Sequence, residues 1–309
     1  MLFYKKLITL RQKQKLMDFD IIAPSPQIAE YVSHYWHFST HTCHHNVQEV
    51  MPTDFFLPSG CVYIIFNRQH HTIYSQDDDN YFPRAFVFGQ KTFPTAYRIF
   101  DEIDVVCVVL QTFAAGLLFK IPIIELFNRA VDINDIDDTE MKEMAQRVCY
   151  APDIKASIFA FENFVERRLA VADFYHIPRL SSAIRSIYMN PAIRMRDVSD
   201  IACLSERQLL RIFDSTIGLS PKQFERIAKL KRMFYILTNN REQSLVRMAI
   251  QAGYYDQAHM NHEFMKLTSF SPNAFLNNLD NHEQLYVEYL KTSINIGKRL
   301  ILGEKEYKK

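Results

Sequence analysis

The C-terminal third of the chain contains an internal repeat, because shifting the sequence by 51 residues superimposes one pattern on another. Ser205 falls on Asp256, and both residue types accept hydrogen bonds from the first turn of a helix. Each copy also contains a Ser-Pro pair, in which Ser suits the cap and Pro the first turn of a helix. Self-similarity at a fixed spacing indicates a supersecondary unit that is built twice. The other matching pairs are Leu209 and Met260, Phe213 and Phe264, Leu219 and Phe270, Ser220 and Ser271, Pro221 and Pro272, and Phe224 and Phe275.

Each copy has the pattern of a short helix, a tight turn and a capped second helix. We predict first helices over 198–202 and 244–252, and second helices over 206–217 and 257–268. Two helices joined by a turn of three or four residues form a helix-turn-helix, whose second helix fits the major groove of DNA. The alternative is a tandem helical-hairpin fold without this role. A basic composition in the linking helix predicted over 222–238 favours the DNA-binding interpretation.

Charge is distributed unevenly along the chain. Residues 1–172 carry 16 Lys and Arg against 21 Asp and Glu, a net charge of −5. Residues 173–279 carry 14 against 9, a net charge of +5, and residues 280–309 add +1. A basic segment joined to an acidic one indicates that the basic segment meets a polyanion and the acidic one does not.

Residues 20–112 have the pattern of β-structure. Apolar runs rich in β-branched and aromatic residues alternate with turn signals, which favours a compact antiparallel sandwich or barrel. These runs are 31–38, 61–66, 85–88 and 105–110, and helical patterns follow at 113–118, 139–148 and 154–172.

The predicted fold class is therefore α+β, with a β-rich domain followed by an all-α domain that holds two helix-turn-helix units. No apolar run reaches the roughly 20 residues of a membrane helix. Five widely spaced cysteines suggest neither a disulfide framework nor a zinc finger, so we expect a cytoplasmic protein. The predicted parts are a β-rich sensor or dimerisation domain at 20–130, a helical linker at 131–172, the DNA-binding domain at 173–279 and a helical tail at 280–309.

The two helical units resemble the AraC/XylS family of transcription regulators. The resemblance rests on residues 196–233 and 244–276 and covers roughly 179–279. The second copy has the family's order of small residue, Gly, aromatic and capping residue in AGYYD, followed by an aromatic-bearing helix and Ser-Pro. The resemblance implies sequence-specific binding of double-stranded DNA, RNA polymerase as a partner, and activation of transcription.

Three N-terminal segments resemble a cupin-like sensor domain that some members of this family carry. The segments are PSPQIAEYVSHYWHF at 24–38, LPSGCVYIIFN at 57–67 and FVFGQ at 86–90. No agreed ligand comes with this resemblance. A small-molecule effector and a homodimer are both expected partners, because an aromatic-rich β-domain suits a ligand pocket as well as a docking or dimerisation surface.

Base contacts are expected from the outer face of each second helix. In the first unit Leu209 and Phe213 have core character, whereas Arg207, Leu210 and Arg211 share the opposite face. Arg can pair with guanine through two hydrogen bonds, and Leu can contact a thymine methyl group. Two alternatives stay open at this point, a core position for Leu210 and a solvated surface for the two arginines.

The second unit departs from the common family pattern just before its inward aromatic, Phe264. Glu263 lies where many members carry a cation, and its charge could repel phosphate or accept a hydrogen bond from cytosine. We therefore expect the second unit to contribute less affinity than the first. Gln and Asn suit adenine edges. The residues expected to face the bases here are Gln257, Ala258, Asn261 and His262.

Contacts with phosphate fix the register on DNA without reading its sequence. The cations expected to make them are Lys222, Arg226, Lys229 and Lys266.

We expect neither a metal, nor a cofactor, nor catalysis. The acidic run 77–79 lacks the spacing and the Glu of an EF-hand loop. Nucleophile-elbow, zinc-protease and phosphate-loop motifs are missing from the sequence, so an enzyme fused to DNA-binding units is a remote alternative. Histidines and a cysteine crowd two segments that we interpret as solvated loops, namely His37, His41, Cys43, His44 and His45 in one and His70 and His71 in the other.

Overall fold

The computed structural model divides the chain into two compact units. The described residues up to position 172 form the first unit, except for 57–60 and 91–94, which belong to the second unit together with the described residues from 173 onward. The expected tail at 280–309 lies outside the described residues. The residues that the structure describes are 17–40, 54–69, 73–99, 102–239 and 243–279.

The described part of the first unit contains ten β-strands. They are β1 (Met17–Ile22), β2 (Val32–Thr40), β3 (Asp54–Phe56), β4 (Tyr63–Asn67), β5 (Ile73–Ser75), β6 (Asn80–Tyr81), β7 (Ala85–Phe88), β8 (Thr95–Ile99), β9 (Asp104–Leu110) and β10 (Ala130–Asp132).

The strands form two antiparallel sheets. The larger has the order β1-β2-β9-β4-β7-β10 and the smaller the order β3-β8-β5-β6. The four apolar runs in the sequence correspond to β2, β4, β7 and β9, which are the central strands of the larger sheet. Central strands are covered on both faces, so their sequences are rich in apolar residues and easy to recognise. The prediction of a β-rich N-terminal part is confirmed.

Side chains alternate between the two faces of the larger sheet. One face carries Tyr35, Ile64 and Val108, which belong to a core that also includes helical residues. The opposite face carries Trp36 and Tyr63, whose ring centroids are 6.0 Å apart. Each face therefore has its own apolar layer.

The second face of the larger sheet packs against the smaller sheet. Phe56 of β3 and Phe88 of β7 bring their ring centroids to 4.7 Å. Tyr97 of β8 stacks on Phe56 at 4.3 Å, and Phe82 stacks on Phe86 at 4.9 Å. The first unit is thus two stacked sheets with an aromatic interior.

The described part of the first unit also contains three α-helices, namely α1 (Ala115–Leu118), α2 (Thr139–Cys149) and α3 (Ile154–Leu169), together with 3-10 turns at Ile123–Leu126 and Ile133–Asp135. Helices α2 and α3 contribute Met144 and Phe161 to the core of the larger sheet. Arg168, near the end of α3, is buried and pairs with Asp138 and with Glu140. Residues 131–172, expected to be a linker, are therefore an integral layer of this unit.

Seven helices form the described part of the second unit. They are α4 (Ile177–Met189), α5 (Met195–Ile201), α6 (Glu206–Thr216), α7 (Pro221–Asn239), α8 (Leu245–Ala252), α9 (Gln257–Thr268) and α10 (Pro272–Leu279). The predicted pattern of two short helices, two capped second helices and a linking helix is confirmed, with boundaries that differ by a few residues. Among the described residues, no helix is both long and apolar enough to cross a membrane.

Candidate nucleic-acid interface

The first helix-turn-helix consists of α5 and α6. Its turn passes through Cys203, which has a φ of 52°, in the left-handed region. Ser205 then caps α6, since its side chain accepts a hydrogen bond from the backbone N–H of Gln208 at 3.2 Å. The Gln208 side chain accepts in return from the backbone N–H of Ser205 at 2.9 Å. This capping box fixes the first residue of the helix, as the sequence predicted.

The second helix-turn-helix consists of α8 and α9. Gly253 lies in the turn with a φ of 91°, a conformation that residues with a Cβ rarely adopt. A Cβ at this position would lie 3.4 Å from Pro191 and 3.5 Å from Lys229. Asp256 caps α9 by accepting from the backbone N–H of His259 at 2.7 Å. Both predicted caps are therefore present.

The sequence repeat is reproduced in the packing of its aromatic residues. Phe213 and Phe224 meet edge to face at 5.9 Å in the first copy. Phe264 and Phe275, which occupy the matching positions, meet edge to face at 5.4 Å in the second. Edge-to-face contact adds to the free energy gained from burial alone. The buried face of α6 and the buried face of α9 are therefore packed through equivalent pairs of phenylalanines.

The outer face of α6 carries the three residues expected to contact bases. Arg207 and Arg211 are exposed, and no ion pair joins either guanidinium to a carboxylate of the described residues. Leu210 lies between them and is 45% exposed, whereas Leu209 is buried. The alternative core position for Leu210 is therefore wrong.

The outer face of α9 is less polar than expected. Ala258 and His262 are exposed, but Gln257 and Asn261 are half-buried. The Oδ1 atom of Asn261 is buried and has no hydrogen-bond partner in the described part of the chain. Of the four side chains expected to face the bases, Ala258 and His262 are therefore exposed to solvent, whereas Gln257 and Asn261 are only partly accessible.

Three of the four cations expected to contact phosphate form ion pairs with carboxylates of the second unit. Glu225 of α7 is only 2% exposed, and its two carboxylate oxygens accept from Lys222 and Lys229, each at 2.6 Å. The side chain of Lys229 is 11% exposed, so its ammonium faces the protein interior. Lys266 on α9 is exposed, and no ion pair to it occurs among the described residues.

The charge of Glu263 is also compensated inside the protein. Arg226 of α7 donates from Nε to Oε2 at 2.5 Å and from Nη2 to Oε1 at 3.2 Å. Two parallel hydrogen bonds of this kind fix both position and orientation. The expected repulsion between Glu263 and phosphate is therefore weakened by a cation that lies beside it.

Two family models match the chain. The first, a domain of unknown function (DUF6597), matches residues 20–132, and the second, a helix-turn-helix domain, matches residues 198–278. Residues 198–278 are an AraC-type helix-turn-helix domain. The resemblance to this family is thereby confirmed for the two helical units, and the N-terminal part is a DUF6597 domain.

Similar proteins include an uncharacterized HTH-type transcriptional regulator of Haemophilus influenzae. It is 24% identical over 156 residues, and the match spans about half of each chain, 50% of this chain and 51% of the relative. ToxT from Vibrio cholerae is a similar solved structure, with 11% identity and a TM-score of 0.43 over 74% of this chain and 95% of that chain. Its unsaturated fatty acid bound form has 14% identity and a TM-score of 0.40 over 73% and 91% of the two chains.

The AraC-type domain presents two further residues that the sequence analysis did not single out. Tyr255, directly before the cap of α9, is 85% exposed, whereas its neighbour Tyr254 is buried and burial raises the pKa of its phenol. Met265 is exposed on the outer face of α9. The doublet of aromatics after Gly253 was a usable signal, because one such residue fills the core beneath the turn and the next cannot.

Across the described ranges, no group of three or more His, Cys, Asp or Glu side chains could hold a metal ion. Residues 41–45 and 70–71 lie outside those ranges.

Proposed function

We propose that this protein is a transcription regulator that binds a specific duplex DNA site through both units of its AraC-type domain. The observation that carries the proposal is the exposed face of α6, where two unpaired arginines flank an exposed leucine on a capped helix. The same scaffold recurs in α9. Similarity to an HTH-type transcriptional regulator over half of the chain supports this proposal.

The two recognition helices, α6 and α9, have different roles in this proposal. Arg207 and Arg211 contact guanine edges, and Leu210 contacts a thymine methyl group. Gln257, Ala258, Asn261 and His262 form the smaller base-facing surface of α9. Because the base-facing surface of α6 carries two full charges and that of α9 carries none, the first unit contributes more of the base-specific affinity.

Phosphate contacts divide into two classes in this proposal. Lys266 and the phenol of Tyr255 reach phosphate directly, since both side chains are exposed beside α9. Lys222 is exposed as well, but Glu225 shares its charge. Arg226 and Lys229 stabilise the packing of the domain and do not contact phosphate, because they form ion pairs with Glu263 and Glu225.

The experiment is a selection of binding sites from random duplexes by the full chain at moderate salt. Two half-sites centred about one helical turn, roughly 34 Å, apart are expected. Arg211→Ala should lose preference at one base position, whereas Arg185→Ala, an exposed arginine on α4, should leave the selected site unchanged. Enrichment of no sequence at all would refute the proposal.

We further propose that the N-terminal unit binds a small-molecule effector and that the chain activates transcription with RNA polymerase. The aromatic layer between the two sheets supports an effector, because ligand pockets are lined mainly by apolar and aromatic side chains. A homodimer would raise the affinity of the full chain by bringing two domains to one DNA molecule. Reporter expression with and without the gene tests the sign of regulation, and higher expression without it would indicate repression.

A further inference from the structure

Gln90, Thr95 and Gln111 are among the buried side chains of the first unit that have hydrogen-bonding atoms without partners in the described part of the chain, as is Thr112. Gln90 is 0% exposed, and neither its Nε2 nor its Oε1 has a partner in the described part of the chain. The same holds for Oγ1 of Thr95, which is 2% exposed, and for Oε1 of Gln111, which is 4% exposed. A buried polar atom that bonds to nothing costs free energy, so such atoms call for a partner that completes them.

Two of these residues lie at one end of the larger sheet and on one of its faces. Gln90 lies two residues beyond Phe88, and the pairing with the next strand continues there, since its carbonyl accepts from the N–H of Asn128 at 2.8 Å. Gln111 lies two residues beyond Val109, and its N–H donates to Tyr31 at 2.8 Å. Because side chains alternate along extended chain, Gln90 and Gln111 share the faces of Phe88 and Val109.

Phe88 and Val109 are themselves on the same face. Both pair with Tyr63 of β4, one from each side. Residues that lie directly opposite each other in antiparallel strands point to the same face. The two glutamines therefore flank β4 on the face that meets the smaller sheet.

Thr95 belongs to β8 of the smaller sheet, which packs against the face of the larger sheet that carries the two glutamines. It pairs with Phe56, so both side chains point the same way. The ring of Phe56 contacts Phe88, two residues before Gln90. Thr95 and Gln90 thus lie next to one aromatic contact that joins the two sheets.

We infer that Gln90, Thr95 and Gln111 hold the polar head of a small uncharged ligand whose flat apolar body lies against Phe56, Phe88 and Tyr63. The inference rests on the proposed effector-binding role and names its site and its ligand class. The amide of Gln90 offers a donor and an acceptor at once, so the head must also donate and accept, as a carboxamide or lactam does.

An uncharged head follows from the residues that surround it. None of the six side chains in this site carries a charge at neutral pH. Burying an ion without an opposite charge costs far more than burying a neutral group that is hydrogen-bonded. A carboxylate or an ammonium of the same size would find no opposite charge among these six side chains, so we expect it to bind more weakly than a neutral head, although Lys91 and His34 are buried nearby.

The test uses the full chain and three matched probes, benzamide, benzoate and toluene, in thermal-shift and calorimetric titrations. Benzamide should raise the melting temperature and bind about tenfold more tightly than toluene, the effect of one or two hydrogen bonds. Benzoate should bind more weakly than benzamide. Equal binding of all three probes, or no binding of benzamide, would overturn the inference.

Gln90→Met tests the residue itself, since Met has a similar volume and no polar group. The variant should melt at the wild-type temperature or above, because an unpaired amide is removed, and should lose the preference for benzamide over toluene. A lower melting temperature would mean that Gln90 is already satisfied, by ordered water or by the fold, and would contradict the inference. Thr95→Val should reduce benzamide binding in the same direction, and the exposed Gln146→Met is the matched control.

Site selection with random duplexes, carried out on the same protein samples, separates this inference from the proposed function. A selected DNA site without benzamide binding would overturn the ligand site and leave the DNA-binding proposal standing. Benzamide binding that needs Gln90 but leaves DNA affinity unchanged would support the ligand site and contradict the effector role.

Discussion

Arg226 of α7 binds Glu263 of α9, and this ion pair joins residues that are 37 positions apart in the chain. It connects the linking helix directly to the second recognition helix. A carboxylate on a helix that faces DNA would weaken binding if it were uncompensated. The pair therefore explains how the AraC-type domain carries Glu at this position, and it makes Arg226 a positioning residue.

A double-mutant cycle on this pair should show strong coupling. Arg226→Ala leaves Glu263 without its partner, so we expect DNA affinity to fall about tenfold for all sequences. Arg226→Ala combined with Glu263→Gln should recover most of that loss, because the uncompensated charge is gone. Fluorescence anisotropy with a fixed duplex gives the four affinities, and simple additivity would rule out the coupling.

Loss of a base contact and loss of a phosphate contact should differ in kind. Arg211→Ala should cost about 1–3 kcal/mol on the best site and relax preference at one base position. Lys266→Ala should weaken all sequences equally and lower the slope of log affinity against log salt by about 1. Titrations at several salt concentrations with a specific and a scrambled duplex separate the two effects. Equal, sequence-independent losses from both changes would remove the distinction.

Substitution of Lys229 should affect stability more than DNA binding, because its ammonium forms an ion pair with Glu225. Lys229→Ala should lower the free energy of unfolding by about 3–5 kcal/mol, since it leaves a buried carboxylate half-paired, and should change the salt slope little. Denaturant unfolding and the same salt titrations measure the two quantities. If the variant were as stable as the wild type and its salt slope were reduced, the sequence-based hypothesis that Lys229 contacts phosphate directly would be correct instead.

Leu210 and Phe213 of α6 should differ in their effect on stability. Phe213→Ala should destabilise the second unit by about 3–5 kcal/mol, because it leaves a cavity beside Phe224. Leu210→Ala should change stability by about 0.5 kcal/mol or less while it weakens DNA binding, as expected of an exposed side chain. Urea unfolding of both variants is the measurement, and a large loss from Leu210→Ala would contradict the assigned face.

The first unit should lose a specific stabilisation in acid. Burial alone raises the pKa of Asp104, but hydrogen bonds from His37 at 3.1 Å and Arg68 at 3.0 Å outweigh it and lower the pKa below its ordinary value of 3.8. A lowered pKa stabilises the fold fully above the ordinary value, and this contribution disappears as the pH falls through the folded value. Asp20 lies 3.9 Å from the other nitrogen of His37.

Asp104→Asn should therefore flatten the dependence of melting temperature on pH below about pH 4. Asp137→Asn, at an exposed carboxylate on the same unit, is the control and should follow the wild-type curve. Parallel curves for all three proteins would show that Asp104 does not contribute in this way.

The parts of this structure that could be predicted from the sequence are those with a local signal. The residue types of Ser205 and Asp256 are enough to predict where two helices begin. The central strand at 105–110 can be predicted because it is apolar throughout. Strand β6, Asn80–Tyr81, is short and exposed, so it carries no such pattern. An amphipathic helix such as α3 shows that one face is buried but not what covers it, which is why 131–172 resembled a linker.

Within the interface, local spacing again decides what was predictable. Glu225 lies three residues after Lys222 and four before Lys229, which are neighbouring positions on one helix, so these pairs were accessible from the sequence. The Arg226–Glu263 pair depends on how α7 and α9 pack, which no local pattern reports. The exposure of Leu210 likewise required the packed helix.

Glu225 also has a consequence for how such a protein would search a genome. A genome offers about 10⁶–10⁹ competing sites, and attraction to phosphate holds a regulator on all of them alike. One of the two lysine charges is cancelled by that buried carboxylate, so Lys222 and Lys229 together add less to this indiscriminate attraction than two unpaired lysines would. Less of the protein is then sequestered on irrelevant DNA, and occupancy of the correct operator depends more heavily on the few side chains that distinguish one base from another.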